Sequence, residues 1–144
     1  MTAGDLSDDS KSPKGNLSLR TIAMPADTNP AGQIFGGWLM SQMDLAAATH
    51  ATYRADGPCA TVAVDGMVFH APVFVGDEVS CFTEITKTGR TSMTLLVEVW
   101  VRRRRRAREL VKVTSGLFHF VALGEDLRPR PLPTEPGAPR AGVS

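Results

Sequence analysis

The sequence predicts an α+β fold in which a curved antiparallel sheet of about five strands wraps around one long central helix. Two observations carry this prediction. An apolar stretch of helical length, residues 37–53, is followed by four segments with the two-residue alternation of strands. A single apolar helix and a run of consecutive strands bury their apolar faces most simply when the sheet curves around the helix.

Five segments of the chain carry the strand pattern. The first, residues 17–24, alternates weakly and precedes the helix. The other four follow the helix at residues 60–69, 77–88, 91–103 and 109–122. Segment 91–103 alternates most clearly, which is typical of a half-buried antiparallel strand. Because these four strands follow one another along the chain, we expect them to form a four-strand meander.

The predicted helix is apolar around nearly its whole circumference, and Asp44 lies about two turns into it. A helix of this kind is buried in a protein or a membrane, and this one is too short and too interrupted by polar groups to span a bilayer. A carboxylate buried there is costly unless it is paired, hydrogen-bonded or functional. Its position fits an acid at a subunit seam or near a neighbouring turn as well as it fits a catalytic group.

The loop before the helix carries turn-forming residues, among them Asn29 and Pro30, and ends at the pair Gly36 and Gly37. Glycine allows the backbone to approach another group closely, and the first amides of a helix are unpaired donors. With Asp44 two turns later, these amides would hold a carbonyl oxygen while the carboxylate supplies a base or nucleophile beside it.

Length and composition describe one ordinary globular domain. The 144 residues are 42% hydrophobic with a net charge of +1, which excludes a disordered or nucleic-acid-coating chain. Cys59 and Cys81 show no paired spacing, which favours a reducing compartment. No segment has the pattern of a secretory signal or the length of a membrane span. We therefore expect a cytoplasmic protein that does not enter a membrane.

Composition also divides the chain into three parts. Residues 1–16 are polar and predict a disordered tail, residues 17–124 form the domain, and residues 125–144 are rich in proline. We expect this last part to leave the domain as an extended tail.

An ordered series of motifs resembles one known family. Residues 24–44 read MPADTNPAGQIFGGWLMSQMD, and matching pieces follow at 64–67, 69–73, 75–77, 91–93 and 97–101. The series, which spans about residues 17–133, is similar to hot-dog-fold acyl-CoA thioesterases of the small bacterial YciA type. The resemblance implies a hot-dog fold and hydrolysis of acyl-CoA. It also implies domains paired edge to edge with sites at the seam, assembled as a trimer of dimers.

The resemblance assigns the catalytic roles to three residues. Asp44 matches the catalytic carboxylate, which acts as a base on water or as a direct nucleophile. Asn29 matches a loop residue that, from the partner subunit, helps to hold the water or the thioester. The backbone amide of Gly37, or of Gly36, matches the donor at the thioester oxygen. For Asn29 a purely turn-forming role remains an alternative.

The resemblance also implies where coenzyme A is held. A turn with a basic residue, Gly89, Arg90, Thr91 and Ser92, would meet its phosphates, with Arg102 and Arg103 as further contacts. Phe69 and His70 end the strand that would flank the site. No cofactor is implied, because coenzyme A is part of the substrate, and the three histidines have no metal-ligand spacing.

Other functions are less consistent with the residues. Phe35 occupies a position where many members of the family have histidine, which favours carboxylate chemistry. The start of a hydratase motif at residues 27–30 lacks the histidine that hydration requires, since Gly32 occupies that position. A binding protein for acyl-CoA or a nucleotide, without catalysis, remains the alternative from another class.

An arginine run at residues 102–106, with Arg108, admits three interpretations. It can be a solvated hairpin tip, a contact for coenzyme A phosphates, or a nucleic-acid surface. Because aromatic residues are few and no reader motif accompanies the run, we expect no nucleic-acid partner.

Overall fold

The computed structural model describes residues 12–135 and contains a five-stranded antiparallel sheet with one long helix. The predicted α+β architecture is therefore confirmed. In chain order the elements are β1 (Asn16–Ile22), a short 3-10 turn (Pro25–Asp27), α1 (Gly36–Ala55), β2 (Cys59–Phe69), β3 (Glu78–Thr88), β4 (Ser92–Arg103) and β5 (Arg106–Ala122).

The strand order is β1-β3-β4-β5-β2, so the predicted four-strand meander is wrong. Only β3, β4 and β5 form a meander. Strand β2 pairs antiparallel with β5, with Cys59 opposite Ala122 and Phe69 opposite Thr114. The connection after β2 includes Pro72 and is not a tight hairpin, so it can carry the chain across the sheet to β3. As a result β1 and β2 are the two edges of the sheet.

Helix α1 packs one side against the sheet through small and flexible residues. Met43, Ala46, Ala47 and Ala51 are fully buried, and alanine lets the helix lie close to the strands. The prediction of burial on all sides is wrong for the single chain, because Met40, Leu45 and Tyr53 are exposed. One five-stranded sheet covers only one side of a helix. No helix among residues 12–135 is long and apolar enough to cross a membrane.

Strand β4 is buried on both faces from Leu95 to Val101, although its alternation predicts a half-buried strand. Glu98, only 1% exposed, is the polar member of the outer face. Lys112 Nζ lies 3.1 Å from one of its oxygens, and Trp100 Nε1 donates a 3.1 Å hydrogen bond to the other. The charge is therefore compensated within the chain, as burial of a carboxylate requires.

Residues 124–135 do not leave the domain, contrary to the predicted tail. The Arg130 amide donates to the Ala122 carbonyl, and the Leu132 amide donates to the Arg90 carbonyl. Arg54, nearly buried at the end of α1, donates to the Pro133 carbonyl at 2.9 Å. These hydrogen bonds hold the proline-rich segment against the domain, although composition alone predicts an extended tail. Of the predicted tails, 1–16 and 125–144, residues 1–11 and 136–144 lie outside the described residues, and Asn16 already belongs to β1.

The two cysteines are free thiols and are expected to react at very different rates. Burial raises the pKa of Cys81 on β3 to about 12. Burial also raises the pKa of the half-buried Cys59 thiol, although Arg130 and a hydrogen bond with Thr52 partly oppose this. Because the thiolate is the reactive form, we expect slow alkylation of Cys59 and none of Cys81 in the folded protein at about pH 8.

Mass spectrometry of the protein after iodoacetamide treatment, with and without denaturant, measures this difference. Cys59→Ser is the matched control and leaves no reactive thiol in the folded state. Rapid alkylation of Cys81 without denaturant would contradict the buried placement of β3.

Candidate active site

A cavity of about 450 Å³ lies where the loop before α1, the start of α1 and the segment after β2 meet. Four of the predicted site residues line it: Asn29, Gly36, Phe69 and His70. Its remaining lining is Gln33, Ile34, Leu39 and residues 71–73. The part of the motif from Asn29 to Leu39 and the end of β2 therefore meet at this cavity, as expected of a site flanked by this strand.

Asn29 shapes the loop that forms one wall of the cavity. Its side-chain oxygen accepts hydrogen bonds from the backbone amides of Ala31, at 2.9 Å, and Gln33, at 3.0 Å. This is the turn-forming role that its residue type predicts. The side-chain NH₂ has no hydrogen bond within residues 12–135. Asn29 can therefore hold its loop through the oxygen and still donate to a bound group.

The start of α1 places the backbone of Gly36 at the cavity, whereas Gly37, the next residue, does not line it. Phe35 precedes the helix without a side-chain cap, and its carbonyl accepts the amides of Trp38 and Leu39. The amides of Gly36 and Gly37 precede these first helical bonds and have no partner within the helix. They also lie at the positive end of the helix dipole. This end of the cavity is therefore suited to an oxygen that carries negative charge.

The two glycines differ in what surrounds them. A Cβ atom at Gly36 would lie 3.3 Å from the ring of Phe69, so the side chain of β2 leaves little room there. A Cβ atom at Gly37 would have no neighbour within 4 Å in the described chain. Contacts within this chain therefore do not explain the glycine at position 37.

Asp44 is half-buried on α1 and does not line the cavity. Its Oδ1 accepts a hydrogen bond of 2.6 Å from Thr61 Oγ1 on β2. Since an α-helix rises 1.5 Å per residue, Asp44 lies roughly 12 Å along the axis from Gly36. The expectation that the acid and the glycine amides of one helix act side by side is therefore wrong for a single chain.

Thr61 was not predicted as a site residue. No short motif marks it, because its contact with Asp44 depends on how β2 is placed relative to α1. Thr61 on β2 lies opposite Phe120 on β5, and Phe120 lies opposite Met93 near the start of β4. Asp44 thus lies toward the end of the sheet where β4 begins, whereas the cavity lies toward the other end.

The residues expected to hold coenzyme A fall into two groups at opposite ends of β4. The turn of Gly89, Arg90, Thr91 and Ser92 precedes the strand and is closed by a 2.8 Å bond from the Gly89 amide to the Ser92 carbonyl. Arg102 and Arg103 end the strand. At about 3.3 Å per residue, the two groups are roughly 35 Å apart. One chain cannot apply both groups to the same phosphate.

Arg102 and Arg103 are held by contacts of their own. Arg103 Nη1 lies 2.6 Å from Asp77 Oδ2 and 2.8 Å from the Pro72 carbonyl oxygen. Arg102 donates to the Ala107 carbonyl and lies 3.6 Å from a carboxylate oxygen of Glu78. The arginine run forms the β4–β5 hairpin, as the solvated-hairpin interpretation predicts.

The histidines have separate surroundings. His50 contacts Thr83 at 2.8 Å, and burial lowers the pKa of its ring. His119 lies between Thr94 and Asp65 on the sheet, with 2.7 Å to the Asp65 carboxylate. Among residues 12–135, no three histidine, cysteine or acidic side chains are grouped as metal ligands are.

Comparison with known proteins identifies the family. The sequence model that describes the Thioesterase superfamily matches residues 31–107, which include the cavity-forming segments from Gln33 to Val73. The chain belongs to the thioesterase superfamily. Acyl-CoA thioester hydrolase YciA of Salmonella typhimurium strain LT2 is 50% identical over 125 residues, which cover 85% of this chain and 94% of the relative.

Two solved thioesterases share the fold. The hexameric thioesterase y2039 from Yersinia pestis is 49% identical, with a TM-score of 0.82 over 85% of this chain and 99% of that one. Cj0915 of Campylobacter jejuni, a hexameric hotdog fold thioesterase, is 40% identical, with a TM-score of 0.78 over 83% of this chain and 91% of that one. The hot-dog fold implied by the motifs is therefore confirmed for this thioesterase.

Proposed function

We propose that this thioesterase is an acyl-CoA thioester hydrolase, which releases a free acid and coenzyme A by carboxylate-assisted attack of water on the thioester. One observation carries the proposal. The chain is 50% identical to an acyl-CoA thioester hydrolase over 125 residues, and its Gly36, whose amide has no partner within the helix, lines a cavity of about 450 Å³. Such a cavity can admit an acyl thioester and bind its carbonyl oxygen.

The complete site is proposed to form between two copies of the chain. Strand β2 is an edge of the sheet, and Val62, Val64 and Val68 on it are exposed, Val62 to 60%. An exposed apolar edge is an aggregation hazard unless another strand covers it. Pairing β2 with the β2 of a second copy across a two-fold axis would extend the sheet and cover this edge.

This pairing would bring the separated groups together. The two β2 strands would run antiparallel, so the Thr61 end of one strand would lie nearer the Phe69 end of the other. Asp44, bound to Thr61, would then approach the cavity of the partner chain. The turn at Arg90 lies at the same end of the sheet as Asp44, because Ser92 and Ala60 both lie opposite Val121. It would approach the partner's cavity as well.

Each group then has a chemical role. Asp44 takes a proton from water, whose oxygen attacks the thioester carbon, or it attacks that carbon directly and forms a mixed anhydride that water then hydrolyses to the free acid and the Asp44 carboxylate. The amide of Gly37 or Gly36 and the NH₂ of Asn29, both from the partner chain, bind the oxygen that becomes negative. The C–S bond breaks, and the thiolate of coenzyme A leaves and takes up a proton. Open space at Gly37 fits the close approach of this oxygen.

The coenzyme A contacts, the oligomer and the location of the protein are proposed on the same basis. Gly89, Arg90, Thr91 and Ser92 would meet phosphates of coenzyme A bound mainly to the partner chain. The similarity to hexameric thioesterases supports a homo-oligomer, and we propose that this oligomer is a trimer of dimers. Water and protein groups suffice for the reaction, so we propose no metal or cofactor. The two free cysteines fit a reducing compartment, and we propose the cytoplasm as the location.

Thiol release from acyl-CoA substrates tests the proposed function directly. We expect turnover at acyl chains from short to long, measured as kcat and KM with a thiol reagent in the assay. An acyl-CoA-binding protein without catalysis would bind the same substrates, as a calorimetric titration shows, and release no thiol. That result would reject the hydrolase and support the binding protein.

A further inference from the structure

Residues 124–135, which we call the strap, fold back along the end of the sheet at which β5 ends. The Arg130 amide donates a 2.9 Å hydrogen bond to the Ala122 carbonyl, and Arg130 Nε donates to the Leu123 carbonyl at 2.7 Å. Both acceptors lie at the end of β5 or directly after it. The strap therefore returns beside the residues that it has just left, and does not continue away from the sheet.

The strap then reaches the turn that precedes β4, residues 89–92. The Leu132 amide donates a 2.9 Å hydrogen bond to the Arg90 carbonyl, and the Leu132 side chain packs against the core. The Ala122 amide donates a second bond of 2.9 Å to the Thr91 carbonyl. Two successive carbonyl groups of a short exposed turn are therefore held by donors that lie outside it.

These contacts fix the backbone of the turn and leave the side chain of Arg90 free. Arg90 is exposed, and its guanidinium makes no hydrogen bond or ion pair with residues 12–135. A group on a fixed backbone binds a ligand with a smaller loss of conformational entropy, because fewer torsion angles have to be ordered. The strap therefore prepares this turn for contact with a ligand.

The far end of the strap is anchored to α1. Arg54, in the last turn of that helix and only 7% exposed, donates a 2.9 Å hydrogen bond to the Pro133 carbonyl. Its Nε also lies 3.4 Å from a carboxylate oxygen of Glu135. Because Asp44 belongs to the same helix, the strap connects the turn to the helix that carries the proposed base.

We propose that the strap is a positioning element of the active site, which fixes the turn at Arg90 relative to α1. The inference rests on the proposed function, in which this turn and Asp44 both approach the cavity of the partner chain. Leu132 and Arg54 act as positioning residues, since they hold the strap and do not touch the substrate. Without either contact the chemistry stays intact but acyl-CoA binds more weakly, because binding must then order the turn.

The first test replaces Leu132 by proline, which lacks the amide that donates to the Arg90 carbonyl. Leu132 precedes Pro133, and a residue before proline favours the extended backbone that proline itself can adopt. We expect KM for acyl-CoA to rise about threefold to tenfold, the effect of losing one hydrogen bond, while kcat changes little. KM for acyl-pantetheine, which lacks the nucleotide that would reach the turn, should stay the same.

Leu132→Ala is the matched control, because it removes the same apolar side chain and keeps the amide. Both variants should lower the melting temperature, but Leu132→Ala should raise KM for acyl-CoA far less than Leu132→Pro. Arg54→Met removes the other anchor and should also raise KM for acyl-CoA alone, and it replaces Leu132→Pro in every comparison if that variant does not fold. An unchanged KM in Leu132→Pro, or an equal rise in Leu132→Ala, would overturn the proposed positioning by this amide.

Combining Leu132→Pro with Arg90→Ala shows whether the strap acts through the turn. If it does, Leu132→Pro should raise KM no further in a chain that already carries Arg90→Ala. Additive effects would show that the substitution acts elsewhere, and would overturn the proposal. Calorimetric titration with coenzyme A and with pantetheine repeats the comparison without catalysis. Weaker binding of coenzyme A alone in Leu132→Pro would support the strap even if no thiol were released, so a failure of the hydrolase proposal is recognised independently.

Discussion

Replacing Asp44 by asparagine is expected to lower kcat for acyl-CoA hydrolysis by about 10²–10⁴-fold, the usual contribution of a positioned acid–base group. Asparagine has nearly the same size, and its oxygen can still accept the hydrogen bond from Thr61 Oγ1. The substitution therefore removes the basic and nucleophilic character of the carboxylate while keeping its contact with β2. We expect KM and the melting temperature to change little.

Steady-state kinetics and thermal unfolding of Asp44→Asn provide the measurement. Thr61→Val serves as a comparison, because it removes the hydrogen bond to Asp44 but leaves the carboxylate. It should reduce kcat far less than Asp44→Asn does. Full turnover in Asp44→Asn would show that this acid has no part in the chemistry, whatever the oligomeric state.

Mixing two inactive variants is expected to restore activity if the site spans two chains. Asn29→Asp keeps the oxygen that holds the loop at Ala31 and Gln33, but it loses the NH₂ donor. Asp44→Asn loses the acid. In a mixed pair, one site receives both intact residues, from different chains, and the other receives both substitutions. Random pairing of equal amounts should recover about a quarter of the unaltered activity.

Co-expression of the two variants in equal amounts, followed by an assay of thiol release, measures this recovery. Each variant expressed alone provides the baseline. If Asn29 and Asp44 of the same chain served one site, every site in a mixed pair would still carry one substitution. Activity no higher than the average of the two baselines would therefore reject a site shared between chains.

The elements were predictable from sequence because their signals are local. Alternation in β4 and the apolar composition of α1 specify a strand and a helix within a few residues of their bounds. The same local signals do not specify that β2 lies next to β5, which depends on a pairing about fifty residues apart in the chain. The predicted meander was wrong for this reason.

The candidate site was predictable in part for related reasons. Asn29, Gly36, Phe69 and His70 meet at one cavity, as the motifs imply. Whether Asp44 completes that site remains a prediction, since its distance from Gly36 excludes joint action within one chain. Its partner Thr61 could not be found from spacing, because the contact arises only when α1 and β2 are placed together.

The hydrogen bond between Thr61 and Asp44 ties the proposed base to the strand that the two chains are proposed to share. Specific activity would therefore depend on protein concentration, falling on dilution as protomers separate and recovering on reconcentration. A cell that made too little of this polypeptide would lose hydrolysis more steeply than it lost protein.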